Sequence, residues 1–321
     1  MATVQPSLSL NQLVEQTPAN TSRYDDTKPF NAKVVVKVPE GWQRFCHAAE
    51  GRPYYRNANL RIFTESNITE GRVLNRIIRW SQVISAFVDD STRSDYDLVL
   101  KVSESEGEEV GSCSYYLVDY NLQVVFWLRE VSTTTLGLPD VRGATHLGLL
   151  LSEQFWIHCE YMPPPHKDLT QSANTLLATL ATLAIDAASS TGSVSPFHQD
   201  ECESYSAALT RVLSTGQPLE INWCIARIRS LLTQSRIINL FGEHNARTDR
   251  NVVVNGQKAP AETGAFVLWT IIMFSIPRIY LGRWNAIWVD RVTYTREWKK
   301  MVKEMSEEFT YGLISSGVMI M

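Results

Sequence analysis

Apolar residues recur at helical spacing in one segment of the N-terminal half. Five of them are separated by alternating steps of four and three residues, which places them on one face of an α-helix. The pattern predicts a helix over roughly residues 69–88, with Thr69 as its N-cap because a threonine hydroxyl can accept from the first turn. The five positions are Val73, Ile77, Trp80, Ile84 and Phe87.

Short segments on both sides of this helix have the composition of β-strands. KVVVKV (33–38) and YDLVLKV (96–102) are rich in β-branched residues, and two twelve-residue stretches, 54–65 and 116–127, resemble each other. Each is predicted to be a hairpin that turns at an Asn-Leu pair, because Asn tolerates the left-handed conformation and bonds its own backbone. Chance similarity between hairpins is the alternative explanation of the match.

The second half of the chain has the pattern of successive helices. ATHLGLLLSEQFWIHCEYM ends at three consecutive prolines, which cannot continue a helix, and further helical patterns begin near residues 173, 200 and 219. Gly242 is predicted as a C-cap, and a last helix is predicted over about 284–309. The predicted fold class is α+β: a disordered tail (1–32), a small antiparallel β module with a long helix (33–135), and a mainly α-helical bundle with apolar C-terminal segments (143–321).

Composition narrows the classes of function. The chain has 321 residues, of which 44% are hydrophobic and 20% are charged, so it can bury a sizeable core. Its net charge of −4 argues against nucleic acid as a general partner, because phosphate binding needs clustered Lys and Arg. Five cysteines without C-x-x-C spacing indicate an intracellular protein, cytoplasmic or associated with an internal membrane.

The first hairpin region resembles the WW domain. The start of the WW sequence pattern matches Pro39, Gly41 and Trp42, and its middle matches GRPYYRN (51–57). The chain has Ala58 where the family has His, and Glu65 where it has the second Trp. The second hairpin shows the converse: it has a closing Trp, but it has no Trp roughly a dozen residues before its start, where the WW pattern requires one.

The resemblance implies an aromatic groove that binds Pro-rich segments, because a polyproline II ridge docks between aromatic rings at low entropic cost. A purely structural role for Trp42 is the alternative. The Pro-rich segment EYMPPPHKDL of the chain is either such a ligand or only a helix terminator. The candidate groove residues are Trp42, Tyr54, Tyr55, Tyr116, Tyr120 and Trp127.

The wider arrangement resembles a group of proteins from mushroom-forming fungi (basidiomycetes), which combine a degenerate WW-like domain with apolar C-terminal segments. The resemblance is carried by YYLVDYNLQVVFWL, LSEQFWIHCEYMPPPH and IPRIYLGRWNAIWVDRV. It implies that the apolar segments, here 263–277 and 309–321, face a membrane. Both are shorter than the roughly 20 residues of a spanning helix, so packing in a core or on a partner helix is favoured, with membrane association as the alternative.

Few residues suggest catalysis. Asp89 and Asp90 superficially resemble an isoprenoid-type Asp-rich magnesium site, and His158 with Glu160 is a weak metal or hydrolase candidate. Turn and helix-end roles are the favoured explanation of both groups, and no cofactor is predicted. An enzyme with a pocket in the helical domain is the alternative function.

The leading hypothesis is therefore a non-enzymatic interaction or adaptor protein, and association with a membrane and a link to kinase signalling are secondary parts of that hypothesis. Its partner would be a protein, either Pro-rich or a proline-directed kinase. Thr17 and Ser195 are the candidate phosphorylation sites, because each precedes a proline.

Overall fold

The computed structural model describes residues 5–6, 37–88, 96–103, 112–254, 262–288 and 295–318. Over these residues the protein is mixed α+β, with a sheet followed by helices, which confirms the fold class at that level. The chain divides into two compact units: Met1–Ala173 with Arg211–Thr233, and Asn174–Thr210 with Gln234–Met321. The helix Ala144–Tyr161 therefore belongs to the same unit as the sheet.

The sheet occupies the first unit. Its strand order is β1-β6-β5-β4-β3-β2, with β7 also paired to β6. Strands β4 and β5 are parallel, as are β1 and β6, and the other pairs are antiparallel. The strands are β1 (Gln5–Pro6), β2 (Trp42–Cys46), β3 (Pro53–Asn57), β4 (Ile62–Thr64), β5 (Tyr96–Val102), β6 (Cys113–Asp119) and β7 (Val124–Phe126).

Both predicted hairpins are confirmed, and they turn at the predicted Asn-Leu pairs. The Asn57 side chain accepts from Leu60 N at 3.0 Å, and the equivalent Asp119 accepts from Leu122 N at 2.9 Å. The last turn residue of each hairpin is left-handed, with φ 55° at Arg61 and 57° at Gln123. The sequence similarity thus corresponds to a repeated turn geometry.

Helix α1 (Gly71–Ser85) connects the parallel strands β4 and β5. Four of the five predicted apolar positions are buried, whereas Phe87 lies beyond the helix end and is exposed. The predicted N-cap was wrong by one residue: Glu70 occupies that position, and the Thr69 hydroxyl instead donates to the Asn67 side chain at 2.6 Å. Most of the predicted tail and strand 33–38 lie outside the described residues.

Seven further helices are present in the described part of the chain. The predicted end of α2 before Pro163 is confirmed. Gly242 is left-handed, but α5 has already ended at Ile238, so the predicted C-cap was wrong. The helices are α2 (Ala144–Tyr161), α3 (Thr170–Ser189), α4 (Gln199–Thr215), α5 (Pro218–Ile238), α6 (Gly264–Ile272), α7 (Ile276–Ile287) and α8 (Thr295–Val318).

The single helix predicted over about 284–309 was also wrong, because α7 ends at Ile287 and α8 begins at Thr295. The helical spacing of apolar residues continues through this interval, so the sequence pattern did not predict two separate helices.

The sheet carries apolar residues on both faces. On one face, Trp42, Tyr55 and Leu117 pack in a buried cluster with Ile77 and Trp80 of α1. Because successive strand residues point to opposite faces, their neighbours form a second layer on the other side. That layer contains Tyr54, Phe63, Asp97 and Tyr116, and it contacts α2 and the residues that follow it.

Candidate functional site

The six aromatic candidates are divided between the two faces of the sheet. Trp42 and Tyr55 are buried under α1, and half-buried Trp127 packs against the same cluster. Tyr54 and Tyr116 are buried on the opposite face, together with Tyr120 of the second turn. The six were predicted as groove candidates from two hairpins, and the fold separates them: α1 covers one face of the sheet, and α2 with the residues that follow it covers the other.

Tyr116 and Tyr120 hold a fully buried histidine between them. Tyr116 Oη lies 3.0 Å from His158 Nδ1, and Tyr120 Oη lies 3.2 Å from Nε2. Burial lowers the pKa of His158 to about 3, although the charge of Asp97 acts in the opposite direction. The imidazole is therefore neutral near pH 7, with one ring N–H donated to one tyrosine and one hydroxyl donated to the ring.

Asp97 extends this layer toward the surface. Its side chain is 0% exposed; its Oδ1 accepts from Arg61 Nε at 2.9 Å, and its Oδ2 lies 3.0 Å from His166 Nε2. Burial favours a higher pKa for Asp97, but the two basic partners outweigh it and lower the pKa below its usual value. The result is an ionised, buried carboxylate that fixes the orientation of His166.

The weak metal candidates do not form one site in the structure. His158 faces the two tyrosines, whereas the Glu160 carboxylate accepts from Arg227 Nη1 at 2.9 Å and Ser230 Oγ at 3.1 Å. Among the described residues, no three His, Cys, Asp or Glu side chains are placed to hold a metal ion. Asp89 and Asp90 lie outside the described residues, so their predicted role stays a prediction.

The Pro-rich segment contacts the first hairpin of its own chain. The Tyr54 hydroxyl donates to Pro163 O at 3.0 Å, and Asn222 Nδ2 donates to Pro164 O at 2.8 Å and Lys167 O at 2.9 Å. Pro163 and Pro164 are buried. The tyrosine that the WW resemblance selects as a ligand-binding residue is therefore engaged by residues that follow α2.

Of the two phosphorylation candidates, only Ser195 is described. Its hydroxyl donates to Phe197 O at 2.9 Å and accepts from Phe197 N at 3.3 Å, so it closes a local turn. The residue is half-buried. Thr17 lies outside the described residues.

In the second unit, α6 and α7 form what we call the apolar helix pair, residues 264–287. The segment 263–277 contains no charged residue, and Phe274 in the connecting turn is 90% exposed with φ 50°. The Thr263 side chain caps α6 by accepting from Phe266 N at 3.3 Å. The exposed apolar side chains are Leu268, Trp269, Ile271, Ile272, Phe274, Ile276 and Ile279.

Polar and aromatic residues follow this apolar surface along α7 and onto α8. Arg283 Nη1 lies 2.6 Å from Glu308 Oε1, and the Tyr280 hydroxyl donates to Glu308 Oε2 at 2.8 Å. The Trp284 ring meets the Trp298 ring edge-on, with centroids 5.5 Å apart. In the described part of the chain, none of the helices combines the length and the apolar composition needed to cross a bilayer.

Sequence reasoning missed Asp97, Arg61 and the position of His166. The available signal was the alternation in YDLVLKV, where Asp97 stands in a strand whose flanking residues are apolar. A carboxylate at such a position needs a basic partner when it is buried. The identity of the partners depends on strand pairing, and the sequence did not predict that pairing.

No protein-family model matches the chain, and no curated protein or solved structure is significantly similar to it. Its function is therefore inferred from the Tyr–His layer, the Pro-rich segment and the apolar helix pair.

Proposed function

We propose that the protein is a non-enzymatic interaction protein that attaches to a lipid surface through the apolar helix pair. The observation that supports this proposal is the uncharged run 263–277, folded as helices whose apolar side chains are exposed, with Phe274 at 90%. Folded monomers rarely expose contiguous apolar patches of this kind unless the patch binds a partner or a membrane.

The dimensions of the helices favour attachment over crossing. Helix α6 has nine residues, and its length is therefore about 14 Å at 1.5 Å per residue. The hydrocarbon core of a bilayer is roughly 30 Å thick, so a helix of this length fits the interface of one leaflet.

The residues around the apolar surface favour lipid over a protein partner. Trp269 is exposed within the apolar surface, and Tyr280 and Arg283 follow in the next helix. Trp and Tyr are enriched where a membrane meets water, and Arg keeps its charge in water while its stem packs on apolar surface. The resemblance to the basidiomycete group, whose C-terminal segments look like paired membrane spans, also implies contact with a membrane.

The WW-like identity of β2–β4 is part of the proposal, as is the bundle arrangement of the helices. The WW-like interpretation is supported by a three-stranded antiparallel meander that begins at Trp42, whose backbone N–H donates to Pro39 O at 3.1 Å. Since Tyr54 is engaged by Pro163 of the same chain, we assign this module a structural role. A free Pro-rich peptide is not the expected partner.

Regulation by a proline-directed kinase is a subsidiary part of the hypothesis. It now depends on Thr17, because the Ser195 hydroxyl closes a local turn. Phosphorylation there would add negative charge, which can order or repel a segment of the chain.

The test of lipid attachment is a sedimentation assay with vesicles of phosphatidylcholine and phosphatidylserine. We expect Phe274→Glu to lower the partition coefficient about tenfold or more, because burial of a Phe side chain contributes about 1.5–3 kcal/mol. The matched control is Ile185→Glu, which introduces the same charge at a 70% exposed apolar residue of α3. The control should bind as tightly as the unchanged chain.

Two outcomes would contradict the proposal. If the unchanged chain stays in the supernatant with vesicles of either lipid composition, the surface does not bind lipid. If Phe274→Glu and Ile185→Glu reduce sedimentation equally, the effect comes from charge alone. A protein partner at the same surface would then be the remaining explanation of its exposure.

A further inference from the structure

Three tryptophan rings meet where the end of α7 packs on α8. The Trp284 ring lies nearly parallel to the Trp288 ring, with centroids 6.2 Å apart, and it meets the Trp298 ring edge-on at 5.5 Å. Trp284, Trp288 and Trp298 are 41%, 46% and 39% exposed. We call these three residues the tryptophan cluster.

This exposure leaves part of each indole ring open to a ligand. Tryptophan is highly buried on average in folded proteins, because its ring has a large apolar surface. The ring planes in the cluster differ by 23° and 80°, so the open surfaces point in more than one direction. The face of an aromatic ring is electronegative, and it attracts a cation placed over it.

The charged residues around the cluster are nearly balanced. Arg283 pairs with Glu308 at 2.6 Å, and two Lys–Glu pairs lie along α8 at 4.0 Å. Lys299 on α8 is exposed, but the sequence from 262 to 321 contains seven Lys or Arg residues and six Asp or Glu residues. Selection of anionic lipids requires clusters with an excess of Lys and Arg, so the charge here does not favour an anionic headgroup.

A zwitterionic headgroup with a quaternary ammonium group fits this surface. Such an ammonium group has three methyl groups and no N–H, so aromatic faces rather than hydrogen-bond acceptors hold it in proteins. A primary ammonium group needs acceptors instead. The Glu308 carboxylate beside the cluster already accepts from Arg283 Nη1 and the Tyr280 hydroxyl.

We propose that the tryptophan cluster binds the phosphocholine headgroup of the lipid surface, with the quaternary ammonium group over the open indole faces. This inference rests on the proposed attachment through the apolar helix pair, and it adds which headgroup is selected. Tryptophans that serve only as interfacial anchors would bind phosphatidylcholine and other lipids alike.

The test is a sedimentation assay of the full chain with vesicles of phosphatidylcholine alone and of phosphatidylglycerol alone. We expect the partition coefficient to be about fivefold higher for phosphatidylcholine, the size of a cation–π contact at a partly exposed site. The net charge of −4 also disfavours phosphatidylglycerol. The readout is therefore the ratio of the two coefficients, compared between chains of equal charge.

Trp284→Leu removes the ring that contacts both others and keeps an apolar side chain. It should lower the ratio about threefold or more, because the contact with the ammonium group is lost. Trp288→Leu should act in the same direction, and it tests the cluster independently if Trp284→Leu does not fold. The matched control is Trp269→Leu, at a 59% exposed ring of α6 outside the cluster. It should lower both coefficients by the same factor and leave the ratio unchanged.

An unchanged ratio in both Trp284→Leu and Trp288→Leu would overturn headgroup recognition, whereas attachment to lipid would stand. Equal changes of the ratio in Trp284→Leu and Trp269→Leu would overturn it as well. If the unchanged chain sediments with neither kind of vesicle, the attachment itself is wrong, and headgroup recognition is wrong with it.

Discussion

His158 has both ring nitrogens engaged by tyrosine hydroxyls, at 3.0 Å and 3.2 Å, and none of its surface is exposed. Burial lowers its pKa to about 3, from an ordinary value of 6.5. Below pH 6.5 the unfolded chain therefore binds a proton at this position that the folded chain does not bind. The folded state must lose stability relative to the unfolded state as the pH falls.

This gives a prediction at the residue scale. Between pH 6.5 and about 3, His158 should reduce the free energy of unfolding by up to about 1.4 kcal/mol per pH unit as pH falls. The measurement is urea denaturation over this range for the unchanged chain and for His158→Gln, with His244→Gln, an exposed site, as control. Only the difference in slope is informative, because the substitution itself lowers stability.

The slopes of the two chains must be compared because Glu153 changes the pH dependence of the free energy of unfolding in the opposite direction. Burial raises its pKa to about 7, so the folded state holds a proton that the unfolded state has released, and stability is lost as pH rises from 4.5 toward 7. Identical slopes for the unchanged chain and His158→Gln would show that His158 is not buried in neutral form.

At the residue scale, the sequence predicted the chemistry of several positions but not their surroundings. Adjacent Tyr54 and Tyr55 must point to opposite faces of a strand, so they could not share one groove. Because Tyr54 and Tyr55 are both buried, other elements must cover the sheet on both faces. That cover comes from α1 and from α2 with the loop after it, and no local pattern specifies this arrangement.

At the scale of elements, the paired hairpins have an energetic reason for their similarity. Asp119 Oδ1 accepts from the backbone N–H groups of Asn121 and Leu122, at 2.8 Å and 2.9 Å. These bonds satisfy donors that the strand ladder leaves unpaired, and they support the left-handed Gln123 that follows.

Asp119→Ala should therefore destabilise the first unit by about 0.5–2 kcal/mol, the range found when side-chain caps of backbone donors are removed. Asp119→Asn is the matched variant, because the amide oxygen can still accept from both groups, and it should recover most of the loss. Chemical denaturation measures both. If the two variants lose the same stability, the carboxylate charge matters and the turn bonds do not.

The helix end marked by three consecutive prolines was predicted correctly, whereas the end predicted from Gly242 and the break between α7 and α8 were not. Helix α2 ends where three prolines begin, and its predicted end is confirmed. The break between α7 and α8 has no proline or glycine at its position, and the apolar spacing continues across it. Periodicity alone could not place that boundary.

At the scale of the whole molecule, the architecture of the first unit depends on non-local pairing. The parallel contact between β4 and β5 joins strands separated by α1, and β6 and β7 extend the sheet from there. Such pairing is set by burial on both faces, which is a property of the assembled sheet. This is why the fold class was predicted, whereas the position of the Asp97–His166 pair was not.

The exposed apolar helix pair is the feature at this scale that most needs a function. The net charge of −4 argues against a general attraction to anionic surfaces, so any attachment must come mainly from the apolar residues between 263 and 277. Binding should then depend weakly on salt. It should also be confined to one segment of the chain.

The most direct measurement is amide hydrogen exchange of the unchanged chain with and without phosphatidylcholine–phosphatidylserine vesicles. The account predicts slower exchange on vesicle addition in residues 264–287, with no change in the strands 42–64. Slower exchange in the strands alone, or no difference anywhere in the chain, would contradict attachment through the apolar helix pair.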